Sequence, residues 1–183
     1  MSGLRGRVAL VTGASRREGI GAAICRALAE KGADVFFTHW KAYDASASWR
    51  EDGPEALREE LRGTGVRAKD MEVDLSLPES LEKVLDATAE LLGSPSILIN
   101  NAAHSERDGY ERLDASILDA HYTVNVRATA LLSVEFARRF GQRSGGRIIY
   151  LTSGQSLGPM PGELAYAASK GAVEAFTGRL RRR

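Results

Sequence analysis

The chain has 183 residues, of which 43% are hydrophobic and 27% charged, and its formal net charge is +1. This size and composition are those of an ordinary globular domain with a core of its own, and the near-neutral charge argues against a polyanionic partner such as nucleic acid. The N-terminal residues lead into a strand without a stretch of signal-peptide length, and no apolar run approaches the roughly 18 residues of a membrane span. We therefore expect a single cytoplasmic domain over residues 1–183, without membrane association.

Cysteine and histidine usage restricts the chemistry. Cys25 is the only cysteine, which excludes an internal disulfide and a cysteine-cluster metal site. Cys25 falls on the apolar side of a predicted helix, so we expect a small buried hydrophobic side chain rather than a nucleophile. His39, His104 and His121 lack ligand spacing, and no metal site is expected.

The first predicted unit is a strand, a glycine-rich loop and a helix. Residues 7–12 are an apolar run rich in β-branched side chains, and helical spacing of apolar residues begins at Ile20. The loop between them, TGASRREGIG, contains Gly13, Gly19 and Gly21. Glycines let the backbone approach a pyrophosphate closely, and the N–H groups of the following helix can hold its charge. The first unit therefore predicts a dinucleotide phosphate site.

The second predicted strand, residues 33–38, ends at the sequence THWK, which has no carboxylate. In dinucleotide folds an acidic residue near this point holds the ribose 2′-hydroxyl of NAD, whereas arginine accommodates the 2′-phosphate of NADP. Arg16 and Arg17 lie in the glycine loop, so the sequence predicts that NADP(H) is preferred over NAD(H). The alternative is that both arginines are merely solvated.

Residues 39–53 are predicted to form a long polar connection that contains both tryptophans, Trp40 and Trp49. Loops of this length are uncommon inside compact domains. The two aromatic side chains are interpreted as packing against the domain edge, with a flap over the adenosine end of a dinucleotide as the alternative.

The pattern continues with a helix over residues 54–62, a strand over 67–73 and a helix over 78–92. Asp74 and Leu75 come at the end of that strand. The Asp74 carboxylate could accept a hydrogen bond from an adenine amino group, or cap the next helix.

The fourth predicted strand, residues 96–100, ends in two asparagines and two alanines, Asn100 to Ala103. Carboxamides followed by small side chains suit a place where a flat ligand passes close to the backbone, although asparagine is also common in turns. A long helix is predicted over residues 114–140. Asn125 is a poor helix former at its interior, so its side chain either points to solvent or serves a polar task.

The last predicted strand, residues 147–152, is followed by Ser153 and then by a run of good helix formers with Tyr166 and Lys170. Four helical residues advance about 6 Å, so a helix places Tyr166 and Lys170 on one face. A nearby ammonium group favours the phenolate and lowers the pKa of tyrosine toward neutrality. A Tyr-x-x-x-Lys pair alone is weak evidence, but Ser153 lies at the carboxyl edge of the predicted sheet, where α/β proteins bind ligands.

Strand and helix alternate five times in this order, with polar or glycine-rich turns at the strand ends. This alternation predicts an α/β, Rossmann-type doubly wound parallel sheet with helices on both faces.

These motifs resemble the classical branch of the short-chain dehydrogenase/reductase family, which includes 3-oxoacyl-carrier-protein reductases. The loop TGASRREGIG is similar to the family's TGxxxGxG, residues 100–103 to its NNAG, and Asn125 to its catalytic helix asparagine. Ser153, Tyr166 and Lys170 are similar to its Ser…YxxxK centre. The resemblance extends from Leu4 to Thr177.

The resemblance implies an oxidoreductase that reduces a carbonyl to a secondary alcohol with NADP(H), or catalyses the reverse, on a small-molecule substrate. It implies Tyr166 as general acid or base, Ser153 as the group that holds the substrate oxygen, and Lys170 as a ligand of the nicotinamide ribose that lowers the Tyr166 pKa. Asn125 would hold a water that links Lys170 to solvent. The implied cofactor site comprises Gly13, Ser15, Arg16, Gly19, Ile20, Gly21, Asp74, Leu75, Asn101, Ala102, Tyr166 and Lys170.

The sequence also departs from the family pattern. The glycine loop is two residues longer than TGxxxGxG, Ala103 replaces a glycine, and the chain stops thirteen residues after Lys170, in GRLRRR. We therefore expect the family's last strands to be lacking, with one side of the fifth strand and one face of the Tyr166 helix uncovered. A truncated or frameshifted product, a fragment and a complete small protein are the three interpretations.

The alternative function is a catalytically incompetent dinucleotide-binding fragment, and a nucleic-acid role for the arginine tail is not favoured. The resemblance allows a homo-oligomer through the helices that contain Asn125 and Tyr166. The family's specificity segment lies beyond Arg183, so the substrate is not identified.

Overall fold

The structure is a computed structural model and describes residues 3–46 and 53–180. Trp49, one of the two tryptophans of the predicted connection, and the arginines of the tail at 181–183 lie outside the described residues. No helix in the described ranges has the length and apolar character that crossing a membrane requires.

Five strands form one parallel sheet in the order β3-β2-β1-β4-β5. The strands are β1 (Val8–Val11), β2 (Asp34–His39), β3 (Ala68–Glu72), β4 (Ile97–Asn100) and β5 (Arg147–Tyr150). The chain builds the sheet outward from β1 to β3 and then returns to place β4 on the other side of β1. This reversal opens a crevice at the carboxyl ends of β1 and β4, the place where such sheets bind ligands.

Seven α-helices connect and cover the described part of the sheet. They are α1 (Ile20–Glu30), α2 (Lys41–Ser46), α3 (Pro54–Arg62), α4 (Pro78–Leu91), α5 (Ala115–His121), α6 (Thr129–Phe140) and α7 (Leu164–Thr177). A π-helical segment, Tyr122–Ala128, joins α5 to α6, and a short 3₁₀ turn, Gly154–Ser156, precedes α7.

Successive residues of each central strand point to opposite faces of the sheet and belong to two apolar layers. Val11 and Phe37 belong to the layer that α1 and α3 cover, whereas Leu10 and Phe36 belong to the layer that α4 and α6 cover. All four side chains are fully buried, because β1 and β2 are central strands with helices on both faces. The predicted doubly wound fold is therefore confirmed.

Cys25 lies in the first of these layers with no solvent exposure. Burial raises the pKa of its thiol to about 12, so the group is a neutral, inert thiol at physiological pH. The predicted small hydrophobic role is confirmed.

Two predicted elements differ from the structure. The predicted connection over residues 39–53 contains a helix, α2, which begins directly after Trp40. The predicted long helix over residues 114–140 is divided into α5, the π segment and α6, and it begins after Asp114, whose carboxylate accepts a hydrogen bond from the Ile117 amide at 2.9 Å. A π turn adds one residue per turn and shifts the helical register, which periodicity over the whole stretch could not reveal.

Within the described residues β5 pairs only with β4, and Ile149 on β5 is 47% exposed. Leu164, at the start of α7, is 41% exposed. These exposures agree with the expectation that one side of the fifth strand and one face of the Tyr166 helix are uncovered.

Candidate active site

A cleft of about 570 Å³ lies at the carboxyl edge of the sheet. Its walls are formed by the loop after β1, by the residues at or after the ends of β2, β3, β4 and β5, and by one face of α7. The lining residues include every position that the resemblance implies for the cofactor, namely Gly13, Ser15, Arg16, Gly19, Ile20, Gly21, Asp74, Leu75, Asn101, Ala102, Tyr166 and Lys170. The positions implied for the cofactor thus converge on one cleft, whereas Ser153 and Asn125 are not among the residues that line it.

Close packing explains two of the loop glycines. Gly13 has φ +70°, and a Cβ there would lie 2.6 Å from the Cα of Ala102. A Cβ at Gly21 would lie 2.7 Å from the Asn101 Nδ2. Asn101 Nδ2 donates to the carbonyl oxygens of Thr12 and Gly13 at 2.9 and 2.7 Å, so this carboxamide fixes the glycine loop.

The N-terminus of α1 faces this cleft without a capping side chain. Gly19 is its N-cap, no side-chain hydrogen bond caps the helix, and the first turn has no acidic residue. The first amide groups of α1 are therefore suited to an anion, which both their hydrogen-bonding capacity and the helix dipole favour.

The two arginines of the glycine loop differ in position. Arg16 lines the cleft, whereas the Arg17 guanidinium pairs with Glu60 at 3.3 Å. Glu60 also accepts from Arg26 at 2.6 Å, and this hydrogen bond is the main cause that lowers the Glu60 pKa. Of the two arginines, only Arg16 is placed to meet a ligand in the cleft.

The end of β2 carries a polar cluster that sequence analysis missed. His39 lines the cleft, and its Nε2 faces the Asp70 carboxylate at 3.2 Å. Asp70 also pairs with Arg58 at 2.7 Å. The pKa of Asp70 is lowered chiefly by the hydrogen bond with His39, and further by Arg58. The residues lie on β2, β3 and α3, so no local motif indicates their contact.

Tyr166 and Lys170 share one face of α7, as their spacing predicted. Lys170 is only 4% exposed, and its Nζ donates to the Leu151 carbonyl at 2.8 Å and lies 5.6 Å from the centre of the Tyr166 ring. Burial lowers the pKa of Lys170.

The predicted lowering of the Tyr166 pKa is not found in this structure. Burial raises the pKa of Tyr166, a hydrogen bond with Ser153 works against that rise, and Glu163 and Tyr43 add smaller increases. Desolvation of the phenolate therefore outweighs its stabilisation by neighbouring groups.

Asn125 lies in the π segment and is 1% exposed. Its Oδ1 accepts from the His104 amide at 2.7 Å, and its Nδ2 donates to the His104 carbonyl and to the Ser169 Oγ, each at 2.9 Å. Of the two predicted alternatives, solvent and a polar task, the structure therefore shows the second. The side chain joins the segment after β4 to α7, and the implied role of holding a water stays a prediction.

Asp108 caps the helix that carries Tyr166 and Lys170, and sequence analysis did not identify it. Its carboxylate oxygens accept from the Leu164 and Ala165 amides at 2.7 and 2.8 Å, which are the first amides of α7. The Asp108 amide donates to the Gly162 carbonyl at 2.8 Å. Asp108 is 56 residues from Leu164 in sequence, so it caps α7 from a distant loop.

His121 is a second missed residue near Tyr166. It has no solvent exposure, and its ring centre lies 6.4 Å from that of Tyr166. Its Nδ1 donates to the Ile117 carbonyl at 2.8 Å, and its Nε2 accepts from the Glu106 amide at 3.2 Å. Both ring nitrogens are therefore engaged by main-chain groups, which fix the orientation of the imidazole.

A doubly wound sheet with a glycine loop, an uncapped helix N-terminus and a Tyr–Lys pair open to one cleft defines a dinucleotide-binding α/β protein. The short chain dehydrogenase family profile matches residues 7–183. The chain belongs to the short-chain dehydrogenase/reductase family, and the resemblance stated from its motifs is confirmed.

Relatives extend along nearly the whole chain. It is 51% identical over 179 residues to the uncharacterized oxidoreductase YjdA of Bacillus subtilis, which covers 97% of this chain and 68% of the relative. It is 42% identical over 175 residues to an NADPH-dependent aldehyde reductase-like protein of Arabidopsis thaliana, and this match covers 93% of this chain and 64% of the relative. It is 36% identical over 182 residues to the 3-oxoacyl-[acyl-carrier-protein] reductase FabG of Pseudomonas aeruginosa, and this match covers 98% of this chain and 68% of the relative. The chain thus spans about two thirds of the length of these relatives.

A short chain dehydrogenase from Burkholderia cenocepacia, solved in complex with NADP, has a similar fold. It matches with a TM-score of 0.83 and 36% identity, and the match covers 97% of this chain and 68% of the other.

Proposed function

We propose that this protein is an NADP(H)-dependent oxidoreductase that reduces a carbonyl, 3-oxoacyl-like or another ketone, to a secondary alcohol, or catalyses the reverse. The observation that carries this proposal is the opening of Tyr166 and Lys170 into the same cleft as the three loop glycines, Gly13, Gly19 and Gly21. The residues fit a dinucleotide, because the first amides of α1 have no capping side chain and Gly13, Gly19 and Gly21 line the cleft beside them without side chains of their own. The comparisons do not favour the alternative of an incompetent fragment.

A bound nicotinamide would supply or accept the hydride, and the chain's own residues would orient the reactants and move the proton. In reduction the Tyr166 hydroxyl would donate its proton to the substrate oxygen, and in oxidation the phenolate would accept it. Ser153 would hold the same oxygen. The raised pKa of Tyr166 keeps the phenol protonated at neutral pH, which favours the donor role.

Lys170 and Asn125 would support this centre. The Lys170 ammonium would bind the nicotinamide-ribose hydroxyls beside Tyr166, and its hydrogen bond to the Leu151 carbonyl holds it in position for this. Asn125 fixes the segment after β4 against α7, so the two walls of the cleft keep their spacing.

We assign the preference for NADP(H) to Arg16, which lines the same cleft as Thr38, His39 and Trp40. The sequence THWK at the end of β2 contains no carboxylate. A guanidinium group matches a phosphate in charge and geometry. The name of the Arabidopsis relative and the NADP complex of the Burkholderia structure support this assignment.

Replacement of Arg16 by alanine is expected to weaken NADPH binding about tenfold and to change NADH binding less than about twofold, because only NADPH has the 2′-phosphate. Calorimetric titration of the full chain with both nucleotides measures this. Arg17→Ala is the matched control, since Arg17 pairs with Glu60, and it should leave NADPH affinity near the wild-type value. Equal losses for both nucleotides would contradict the role of Arg16, and absence of saturable binding to either would contradict the proposed function.

We also propose that two copies associate through the helices that carry Asn125 and Tyr166. Leu118, Tyr122 and Leu131 are large exposed apolar side chains on α5, the π segment and α6. Such surfaces are typical of protein contacts. Sedimentation equilibrium should show a dimer that Leu131→Glu dissociates, and a monomeric wild-type chain would contradict this proposal.

A further inference from the structure

Two segments from opposite sides of the cleft meet above it. β2 leads into α2, and β4 leads into the segment that contains His104 and Ser105. In the sheet β1 lies between β2 and β4. A contact between these two segments therefore passes over the carboxyl end of β1, where the glycine loop begins.

Tyr43 of α2 makes this contact. Its hydroxyl accepts from the Ser105 amide at 2.9 Å and donates to the Ser105 carbonyl at 3.3 Å. Its ring is parallel to Trp40 at 6.3 Å between centres and lies 5.5 Å from His104. All four residues line the cleft, and we call them the Tyr43 strap.

The two ends of the strap are held differently. On the β4 side Asn125 binds both the amide and the carbonyl of His104 from a buried position. On the β2 side α2 has six residues, and Lys41 at its start pairs with Glu55 at 3.3 Å, where both side chains are at least half exposed. Exposed ion pairs contribute little to stability, so the α2 side is the end that can move.

We infer that the Tyr43 strap is a gate over the dinucleotide site, which opens to admit the nucleotide to the glycine loop and closes again above it. The inference rests on the proposed function. Because Tyr43 and Ser105 hydrogen-bond to each other, the contact restrains exchange of the nucleotide with solvent. The same contact favours the closed arrangement with and without nucleotide, so it sets both rates and leaves the equilibrium nearly unchanged.

Tyr43→Phe removes the hydroxyl and keeps the ring. The association and dissociation rate constants of NADPH, measured by stopped-flow fluorescence, should both rise about three- to tenfold, as expected for the loss of the Tyr43–Ser105 hydrogen bonds, while Kd stays within about twofold. Tyr110→Phe is the matched control: Tyr110 is 87% exposed, its hydroxyl donates to Glu111 at 3.0 Å, and both rate constants should be unchanged.

Other outcomes overturn the inference in distinct ways. Unchanged rates in Tyr43→Phe exclude a gate, and a faster dissociation with an unchanged association rate assigns Tyr43 to direct nucleotide contact instead. A wild-type chain that binds neither NADPH nor NADH overturns the proposed function and the gate together, whereas normal wild-type binding with unaltered variant rates overturns the gate alone.

Hydrogen exchange in the wild-type chain tests the gate without a variant. The Ser105 amide donates to Tyr43, so it exchanges when the strap opens. Saturation with NADPH should slow its exchange severalfold, because the strap residues line the cleft and a bound nucleotide adds contacts that favour the closed arrangement further. An exchange rate that NADPH leaves unaltered would contradict closure.

Discussion

Replacement of Tyr166 by phenylalanine is expected to lower the turnover number for carbonyl reduction by a factor of about 100 to 10,000, which is the usual contribution of a positioned general acid. The substitution removes the O–H that would protonate the substrate oxygen in the proposed mechanism, and it keeps the ring that lies beside His121 and the Lys170 Nζ. NADPH affinity should change less than about threefold, because in the proposed site the glycine loop, the α1 amides and Arg16 would supply most of the nucleotide contacts.

A ketone panel assayed by NADPH consumption, together with a calorimetric NADPH titration, separates the two effects. Tyr110→Phe removes a hydroxyl from an exposed tyrosine that does not line the cleft, and it should keep wild-type turnover and affinity. Turnover by Tyr166→Phe close to the wild-type value would remove Tyr166 from the catalytic role. A parallel loss of NADPH affinity would instead mean that the substitution disrupts the site.

Sequence alone located the walls of the cleft because its motifs follow strands directly. Gly13 follows β1, Asp74 comes shortly after β3, and Asn101 follows β4, so a parallel sheet brings them to one edge whatever the helices do. The strands themselves were recognisable because central parallel strands such as β1 are buried on both faces and appear as apolar runs.

The contacts that hold the cleft in shape could not be predicted in this way. Tyr43 and Ser105 are 62 residues apart, and Asp108 and Ala165 are 57 apart. Tyrosine and aspartate are common at surfaces, so nothing in their local sequence marks these pairs. Their partners are main-chain groups, which carry no side-chain signal in the sequence.

The direction in which the pKa of Tyr166 is shifted was the least predictable property of the site. The four-residue spacing correctly placed Lys170 beside Tyr166, and from the pair alone a lowered Tyr166 pKa follows. Burial of the phenol, which depends on how α7 packs, reverses that direction. Similarly, two adjacent arginines looked equivalent in the loop, yet Glu60 on α3 engages Arg17 while Arg16 lines the cleft.

Asp108→Ala is expected to destabilise the protein by about 3 kcal/mol, because it removes the only side-chain cap that the described residues supply to the start of α7. Hydrogen bonds to a charged partner contribute about 1.5–3 kcal/mol each, and a carboxylate at a helix N-terminus gains further from the helix dipole. Asp108 is 9% exposed, so water can replace only part of what is lost. Urea unfolding measures the change in the free energy of unfolding.

Loss of the Asp108 cap should also lower turnover, since the capped amides of Leu164 and Ala165 immediately precede Tyr166 on the same helix. Asp108→Asn retains a carbonyl acceptor for one amide and should give an intermediate loss of stability and activity. Asp114→Ala is the matched control: it removes the exposed cap of α5, so its stability loss should be smaller and turnover per folded molecule should be unaffected. If Asp108→Ala were no more destabilising than Asp114→Ala, water would satisfy the first amides of α7 no less effectively than Asp108 does. The loop at Asp108 would then not determine where Tyr166 lies.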